Sequence, residues 1–146
     1  MKSIIATIFF LTTICRLGFG QNRKLTDEEI NKSSAIKMVF ADTIRNCEVI
    51  DEWVKSDISH HTVFLFLQGG IAPKVYTTDQ DFENKFDIYF FDFGCTAPDY
   101  KCIIRYNTRI FEYLTSKYGK QWLKKIRKDV IGLARWKKGQ ISNTEH

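Results

Sequence analysis

The sequence predicts a small α/β or α+β domain in which a sheet of two or three strands packs against helices from both ends of the chain. Two short apolar runs, Val63 to Leu67 and Ile88 to Phe91, have the length and composition of strands that are buried on both faces. Segments with helical periodicity lie before, between and after them. The content of 44% hydrophobic and 14% aromatic residues is typical of a folded domain and argues against a disordered chain.

The first twenty residues have the pattern of a secretory signal peptide. Lys2 precedes an uncharged run from Ile4 to Cys15, which is shorter than the 20 or so apolar residues that a membrane-spanning helix needs. The small residues Gly18 and Gly20 predict cleavage after Gly20, so we expect the mature chain to begin at Gln21. The protein is therefore expected to be secreted or periplasmic, with an uncleaved membrane anchor as the alternative.

The chain after the signal peptide is long enough for one domain with a substantial core and too short for two. We expect residues 21–138 to form that domain and residues 139–146 to be a disordered polar tail. No segment after the signal peptide is apolar for long enough to span a membrane, so no transmembrane segment is expected once it is cleaved.

The first helical segment begins with a capping signal. Thr26 is followed three residues later by Glu29, the arrangement in which each side chain bonds the backbone N–H of the other. Apolar residues then recur at intervals of three and four as far as Val54. One long helix fits this pattern, and so do two helices with a break near Asn46, which we favour because Asn is a poor helix former.

The two predicted strands are separated by a segment that is long enough for a parallel crossover. Its helix is expected to start at Thr78, with Asp81 three residues later, and to place Phe82 and Phe86 one turn apart. The segment around Pro73 may only form a short edge strand or a loop, since proline cannot donate to a sheet. We expect Phe90 to be buried, so that Phe90→Ala costs about 3–5 kcal/mol.

The C-terminal third is expected to form two helices. Thr96 and Pro98 predict the start of the first, and Gly119 predicts its end. The second is expected to run from Lys120 to Lys138. Its inward residues would be Trp122, Ile126, Val130 and Leu133, and its outward residues would be Lys120, Lys124, Arg127 and Lys128.

The basic residues are concentrated in this C-terminal third. Residues 21–97 contain eight basic and thirteen acidic residues, whereas residues 98–146 contain twelve basic and four acidic ones. Two interpretations are open: the acidic half of the same molecule neutralises the basic residues, or the basic residues bind an acidic protein or another anionic surface. Nucleic acid is not expected as a partner of a secreted protein. The candidate binding residues are Lys120, Lys124, Arg127, Lys128, Arg135 and Trp136.

The cysteines are interpreted as a structural staple. Cys95 and Cys102 stand near the end of a strand and the start of a helix, and cysteines that meet in an oxidising compartment tend to form disulfides. We therefore predict a Cys95–Cys102 disulfide. Cys47 is expected to be a small buried residue, although it could replace either partner. The alternatives are free buried thiols, a reactive thiol at the helix start, and a metal site.

A metal site would need more ligands than the sequence offers at sensible spacing, because only Cys47, His60 and His61 are available to join the other cysteines. We expect no metal and no cofactor. The leading hypothesis is a secreted or periplasmic binding protein without enzymatic activity, which uses the basic C-terminal helix. The alternative is a thiol-dependent enzyme using Cys95 or Cys102.

Several short motifs, "GGIAP", "DFGC", "YLTSKYGKQW" and "IRKDVIGLARWKK", together with Tyr106 and Asn107, resemble those of a group of small, signal-bearing bacterial proteins. The resemblance covers about residues 47–138. It implies one domain and brings no catalytic residues to carry over to this sequence.

Overall fold

The computed structural model describes the backbone of residues 23–40, 47–94 and 100–142, with side chains as far as residue 139. The signal peptide, Asn46, Cys95, Thr96 and residues 143–146 lie outside these ranges. Six α-helices and two strands are described, in the order α1 (Asp27–Lys32), α2 (Ser34–Val39), α3 (Ile50–His60), β1 (Val63–Leu67), α4 (Thr77–Phe86), β2 (Ile88–Asp92), α5 (Tyr100–Tyr118) and α6 (Leu133–Ser142). Short 3-10 turns, Cys47–Val49 and Gln121–Lys124, precede α3 and α6.

The predicted capping box at the start of α1 is confirmed. The backbone N–H of Glu29 donates to Thr26 Oγ1 at 3.2 Å, and the N–H of Thr26 donates to Glu29 Oε2 at 2.8 Å. The helical segment is shorter than its apolar pattern predicts, because Ser33 adopts an extended conformation and separates α1 from α2.

The predicted mixed architecture and the parallel pairing of the two strands are confirmed. Strands β1 and β2 pair in parallel, with Val63 opposite Ile88 and Leu67 opposite Asp92. One face of the sheet packs on α5, where the rings of Phe66 and Tyr106 are 4.8 Å apart between centroids. The other face packs on α4.

Helix α4 begins one residue before the predicted start and brings Phe82 and Phe86 into the core, as predicted. The Phe82 ring lies 5.1 Å from that of Phe90 on β2. Phe90 itself is only half-buried, so the prediction that it is fully buried is wrong. This strand is less enclosed than β1, all five residues of which are buried.

The prediction of one continuous helix over residues 120–138 is also wrong. Its apolar residues are buried as expected, but the backbone between the 3-10 turn and α6 bonds to β1. The N–H of Gln68 donates to the Asp129 carbonyl at 2.8 Å, and the N–H of Ile131 donates to the Phe66 carbonyl at 3.0 Å. Gly132, with φ of 83°, then turns the chain into α6, which continues to Ser142, beyond the predicted domain boundary at Lys138.

Candidate functional site

The disulfide joins Cys102 to Cys47, so the predicted Cys95–Cys102 pairing is wrong. The two α-carbons are 5.1 Å apart, and the bridge ties the turn before α3 to the first turns of α5. It closes a loop over a sequence separation of 55 residues. The physical reason is the packing of α3 against α5, which brings Cys47 to Cys102 although the two are distant in sequence. Cys102 is buried and its sulfur is bonded, so it offers no thiol for catalysis.

Arg127 is the one member of the predicted basic surface whose placement contradicts the sequence analysis. Its side chain is only 6% exposed, whereas the prediction placed it outward on a helix. It donates to Asp129 from Nε at 2.9 Å and from Nη2 at 2.6 Å, and to Asp79 Oδ2 from Nη1 at 2.9 Å. Its guanidinium also lies 4.8 Å from the ring centroid of Tyr76 and 5.5 Å from that of Phe90.

Arg127 therefore holds the turn at residues 127–129 against α4 and β2. The ion pair lowers the pKa of the Asp129 carboxyl. Arg127 is a packing and ion-pairing residue, and the predicted basic surface therefore has one exposed basic side chain fewer than expected.

The other predicted basic residues are on the surface. Lys120, Lys124, Lys128 and Arg135 are exposed, and none of them pairs with a carboxylate within the ranges that the structure describes. Trp136 is half-buried, since its ring packs 5.5 Å from the rings of both Phe111 and Trp122. The core thus fixes this indole in place while leaving part of it accessible.

Arginines on α5 find their partners on the acidic half of the chain, as the intramolecular interpretation of the charges anticipated. Arg105 donates to Asp51 Oδ2 at 2.7 Å, and Arg109 donates to Asp51 Oδ1 at 2.9 Å. These two bonds hold the pKa of the Asp51 carboxyl well below its usual range. The arginines of the C-terminal third are largely used inside the molecule, whereas many of its lysines are not.

The outer edge of β1 is bonded by one side chain of α5. Asn107, fully buried, accepts from the N–H of Phe66 at 3.0 Å and donates to the carbonyls of Phe66 and Ile131 at 2.9 Å each. Its amide group thus takes the place of a neighbouring strand. Tyr106, which is also fully buried, donates from its hydroxyl to Asp57 Oδ2 at 2.5 Å.

Asp57 connects this closed edge to the N-terminal helices. Its Oδ1 accepts from the N–H of Ser34 at 3.2 Å and from the hydroxyl of Thr62 at 3.4 Å. Burial raises the pKa of the Asp57 carboxyl, and burial also raises that of the Tyr106 hydroxyl. The group joins α2, α3, α5 and Thr62, the residue before β1, through polar contacts in the interior.

The outer edge of β2 is closed at one point, by Glu83 of α4. Glu83 Oε1 accepts from the N–H of Phe90 at 3.0 Å. Burial raises the pKa of the Glu83 carboxyl, although the Phe90 bond opposes that change. Nothing comparable to Asn107 lies along this edge in the described part of the chain.

A cavity of about 590 Å³ opens beside the β2 edge, which makes it the candidate functional site. It extends from Leu25, before α1, past Glu83 and Phe90 to Arg127 and the loop that follows β1. The Oδ1 atom of Asp79 on its wall is buried and has no hydrogen-bond partner among the described residues. Ligands of parallel sheets commonly bind at the carboxyl ends of the strands, which this cavity adjoins.

Metal sites and membrane-spanning helices are not indicated within residues 23–40, 47–94 and 100–142. No group of three or more His, Cys, Asp and Glu side chains there could hold a metal ion. In the same ranges, no helix has the length and apolar character required to cross a bilayer.

The cavity, the Glu83 contact and the strand-like role of Asn107 were not predicted from the sequence. A local signal existed for Asn107, which occupies an inward position of the amphipathic pattern of α5, where a polar residue must find a partner. No such signal marked Glu83, because its acceptor role depends on how α4 packs beside β2.

Comparison with protein-family models, with curated proteins and with solved structures finds no match for this chain. The resemblance to small, signal-bearing bacterial proteins stays a prediction.

Proposed function

We propose that this protein is a secreted or periplasmic binding protein without enzymatic activity, and that an exposed basic surface near its C-terminus binds an acidic protein or another anionic surface. We define this C-terminal basic surface as Lys120, Lys124, Lys125, Lys128, Arg135 and Lys138. It replaces the predicted set by omitting the buried Arg127 and the half-buried Trp136, and by adding the exposed Lys125 and Lys138.

The proposal depends on one difference among the basic residues: some form ion pairs with carboxylates of the same molecule, and others do not. Arg105 and Arg109 pair with Asp51, and Arg127 pairs with Asp79 and Asp129. The C-terminal basic surface has no such carboxylate partner within the described ranges. Its positive field is therefore available to attract an anionic partner.

The disulfide supports the proposed compartment. A Cys47–Cys102 bridge persists in oxidising surroundings such as the periplasm or the extracellular space. The same bridge weakens the thiol-enzyme alternative, since it occupies the Cys102 sulfur.

The test measures binding of the protein to immobilised poly-glutamate, an acidic polypeptide, and to vesicles of anionic phosphatidylglycerol. Each affinity is compared with that for an uncharged polypeptide or for vesicles of an uncharged lipid. We expect Lys120→Glu, Lys124→Glu and Lys128→Glu, combined, to weaken binding at low salt by about tenfold or more. Binding to poly-glutamate alone would indicate an acidic protein as the partner, and binding to the vesicles alone would indicate an anionic lipid surface.

The matched control reverses three exposed lysines elsewhere, Lys37, Lys55 and Lys85, and so produces the same change in net charge. Circular dichroism checks that both variants fold. Equal weakening by the two variants would show a response to net charge alone and would contradict the proposed surface. Unaltered binding in the first variant would contradict it as well.

A further inference from the structure

The loop between β1 and α4 exposes apolar side chains to solvent. Residues 70–76, with the sequence GIAPKVY, are all exposed, and we call them the apolar loop. Ile71 is 98% exposed and Val75 is 86% exposed, the two highest values among the large apolar residues that the structure describes. The loop has one charged residue, Lys74, and no acidic one. Exposed apolar side chains in such a run commonly mark a surface that contacts another molecule or a membrane.

Arg127 holds the apolar loop beside the C-terminal basic surface. Its Nη1 donates to the Lys74 carbonyl at 2.8 Å, and its guanidinium lies 4.8 Å from the centroid of the Tyr76 ring. Lys125 and Lys128, two members of the basic surface, lie close to Arg127 in sequence and are exposed. Together with Tyr76, they line a cavity of about 290 Å³. The apolar loop and these lysines are therefore adjacent parts of one surface.

The charge of this combined surface is positive. Asp129 also lines the small cavity, but its carboxylate is paired with Arg127 at 2.6 Å. In the ranges that the structure describes, neither Lys125 nor Lys128 forms an ion pair. An anionic surface that approaches the apolar loop therefore meets a positive field from these lysines.

The combination of exposed apolar and basic side chains favours a lipid surface over an acidic protein. Carboxylates of a protein would match the lysines, but they would leave Ile71 and Val75 in water. An anionic bilayer has negative head groups at its surface and hydrocarbon directly beneath them, so it matches both kinds of side chain. A side chain as exposed as Ile71 can enter that layer without a change in the fold.

We propose that the protein binds the surface of an anionic membrane, with the apolar loop inserted among the lipid head groups and the adjacent lysines against the lipid phosphates. This inference rests on the proposed function, because it assigns one kind of partner to the C-terminal basic surface, and it adds the apolar loop to that surface. The loop supplies apolar insertion, and the lysines supply an attraction that salt weakens. Two such contributions together give a more stable association with a membrane than either one alone.

The experiment uses the disulfide-linked chain from Gln21 onward, because an attached signal peptide would itself bind lipid. Co-sedimentation measures its affinity for vesicles of phosphatidylglycerol mixed with phosphatidylcholine, and for vesicles of phosphatidylcholine alone. We expect binding to the mixed vesicles to fall as salt is added, and binding to the uncharged vesicles to be weaker by about tenfold or more. Equal binding to both would overturn the role of the lysines.

Ile71→Ser and Val75→Ser, combined, remove the apolar side chains of the loop and leave every charge in place. We expect vesicle affinity to fall by about tenfold or more, because insertion buries both side chains, and binding to poly-glutamate to stay unchanged. Val39→Ser and Phe40→Ser, combined, are the matched control at exposed positions outside the loop. This control is expected to bind vesicles as the wild type does.

Ile71→Trp and Phe40→Trp report whether the loop enters the lipid. The vesicles for this measurement contain phosphatidylglycerol with brominated acyl chains, which quench tryptophan fluorescence on contact. We expect quenching of Ile71→Trp beyond that of the wild type, and no added quenching of Phe40→Trp.

The outcomes separate this inference from the proposed function. Binding to poly-glutamate without binding to vesicles would overturn the inference and leave the proposed function in place, with an acidic protein as the partner. Vesicle binding that the combined Ile71 and Val75 variant retains, or that leaves the tryptophan at position 71 unquenched, would overturn insertion of the loop. Absence of binding to both poly-glutamate and vesicles would overturn the proposed function as well.

Discussion

The two edges of the small sheet are closed in different ways. On the β1 side, a fully buried amide, Asn107, makes three hydrogen bonds to backbone groups, and the chain at residues 129–131 adds further bonds. On the β2 side, one half-buried carboxylate, Glu83, makes one bond beside a cavity. Within the described residues, the β1 edge is therefore bonded at several backbone groups, whereas the described side-chain bonding of the β2 edge is confined to Phe90.

Removing the disulfide should destabilise the β1 side of the sheet, because the bridge anchors α5, the helix that carries Asn107. Replacing Cys47 and Cys102 with alanine should lower the free energy of unfolding by about 4 kcal/mol, given the length of the loop that the bridge closes. Urea denaturation measures the loss. Peptide mapping without reduction should recover the fragments of Cys47 and Cys102 joined, and a Cys95–Cys102 fragment would contradict the pairing.

Asn107→Leu breaks the closed edge itself. The substitution leaves the N–H of Phe66 and the carbonyl of Ile131 buried without this partner, so it should cost about 3 kcal/mol. Asn31→Leu, at an exposed position of α1, controls for the gain of an apolar side chain. A loss below about 1 kcal/mol in urea denaturation would mean that water replaces the amide.

Phe90→Ala measures how enclosed the open side is. Because Phe90 is half-buried, we expect a loss of about 2 kcal/mol, below the 3–5 kcal/mol of a fully buried phenylalanine. Phe66→Ala, at a fully buried position of β1, should reach that higher range and serves as the matched comparison. Equal losses at the two positions would remove the contrast between the strands.

Glu83→Ala removes the only side-chain bond described at the β2 edge and should cost about 1 kcal/mol, since the adjoining cavity lets water reach the N–H of Phe90. Glu83→Gln should be nearly neutral. Thermal unfolding distinguishes them. A loss in Glu83→Ala as large as that in Asn107→Leu would show that both edges are structural.

The smallest expected effects are on the pH dependence of the free energy of unfolding. The carboxyls of Asp57 and Glu83 have raised pKa values in the folded state, which therefore binds more protons than the unfolded state. Their contribution to stability falls as pH rises from about 4 through those raised values. Asp51 and Asp129 have lowered pKa values and act in the opposite sense, with stability lost as pH falls below about 4.

Asp57→Asn and Glu83→Gln should each flatten the fall in stability above pH 4, as measured by urea denaturation at a series of pH values. Asp81→Asn, at an exposed position of α4, is the control. An unchanged slope in Asp57→Asn would mean that its carboxyl is ionised at no cost in the folded protein.

Local patterns predicted much of the fold. The capping box at Thr26, both strands and the end of α5 before Gly119 depend on short-range patterns and are confirmed. The break after the 3-10 turn at Lys124 could not be predicted in the same way. Its residues have helical spacing, and only the hydrogen bonds of residues 129–131 to β1 override that preference.

Short-range sequence patterns were also insufficient to predict the contacts of the candidate site residues. Exposed lysines near the C-terminus were predicted correctly, whereas Arg127 was predicted to be exposed with them, because a buried guanidinium depends on partners as distant as Asp79. Cys102 was paired with the cysteine nearest in sequence and not with Cys47, which the packing of α3 against α5 brings near. Both errors concern contacts between residues far apart in the chain.

The Cys47–Cys102 bridge has a consequence for cleavage by proteases. Both strands, α4 and the exposed loop with Ile71 and Val75 lie within the covalent ring that it closes. A single cut in that loop would open the ring without releasing a fragment, and the nicked protein would migrate at its original mass until it is reduced. In surroundings rich in proteases, this exposed loop could thus be cut while the two halves of the domain stay tethered.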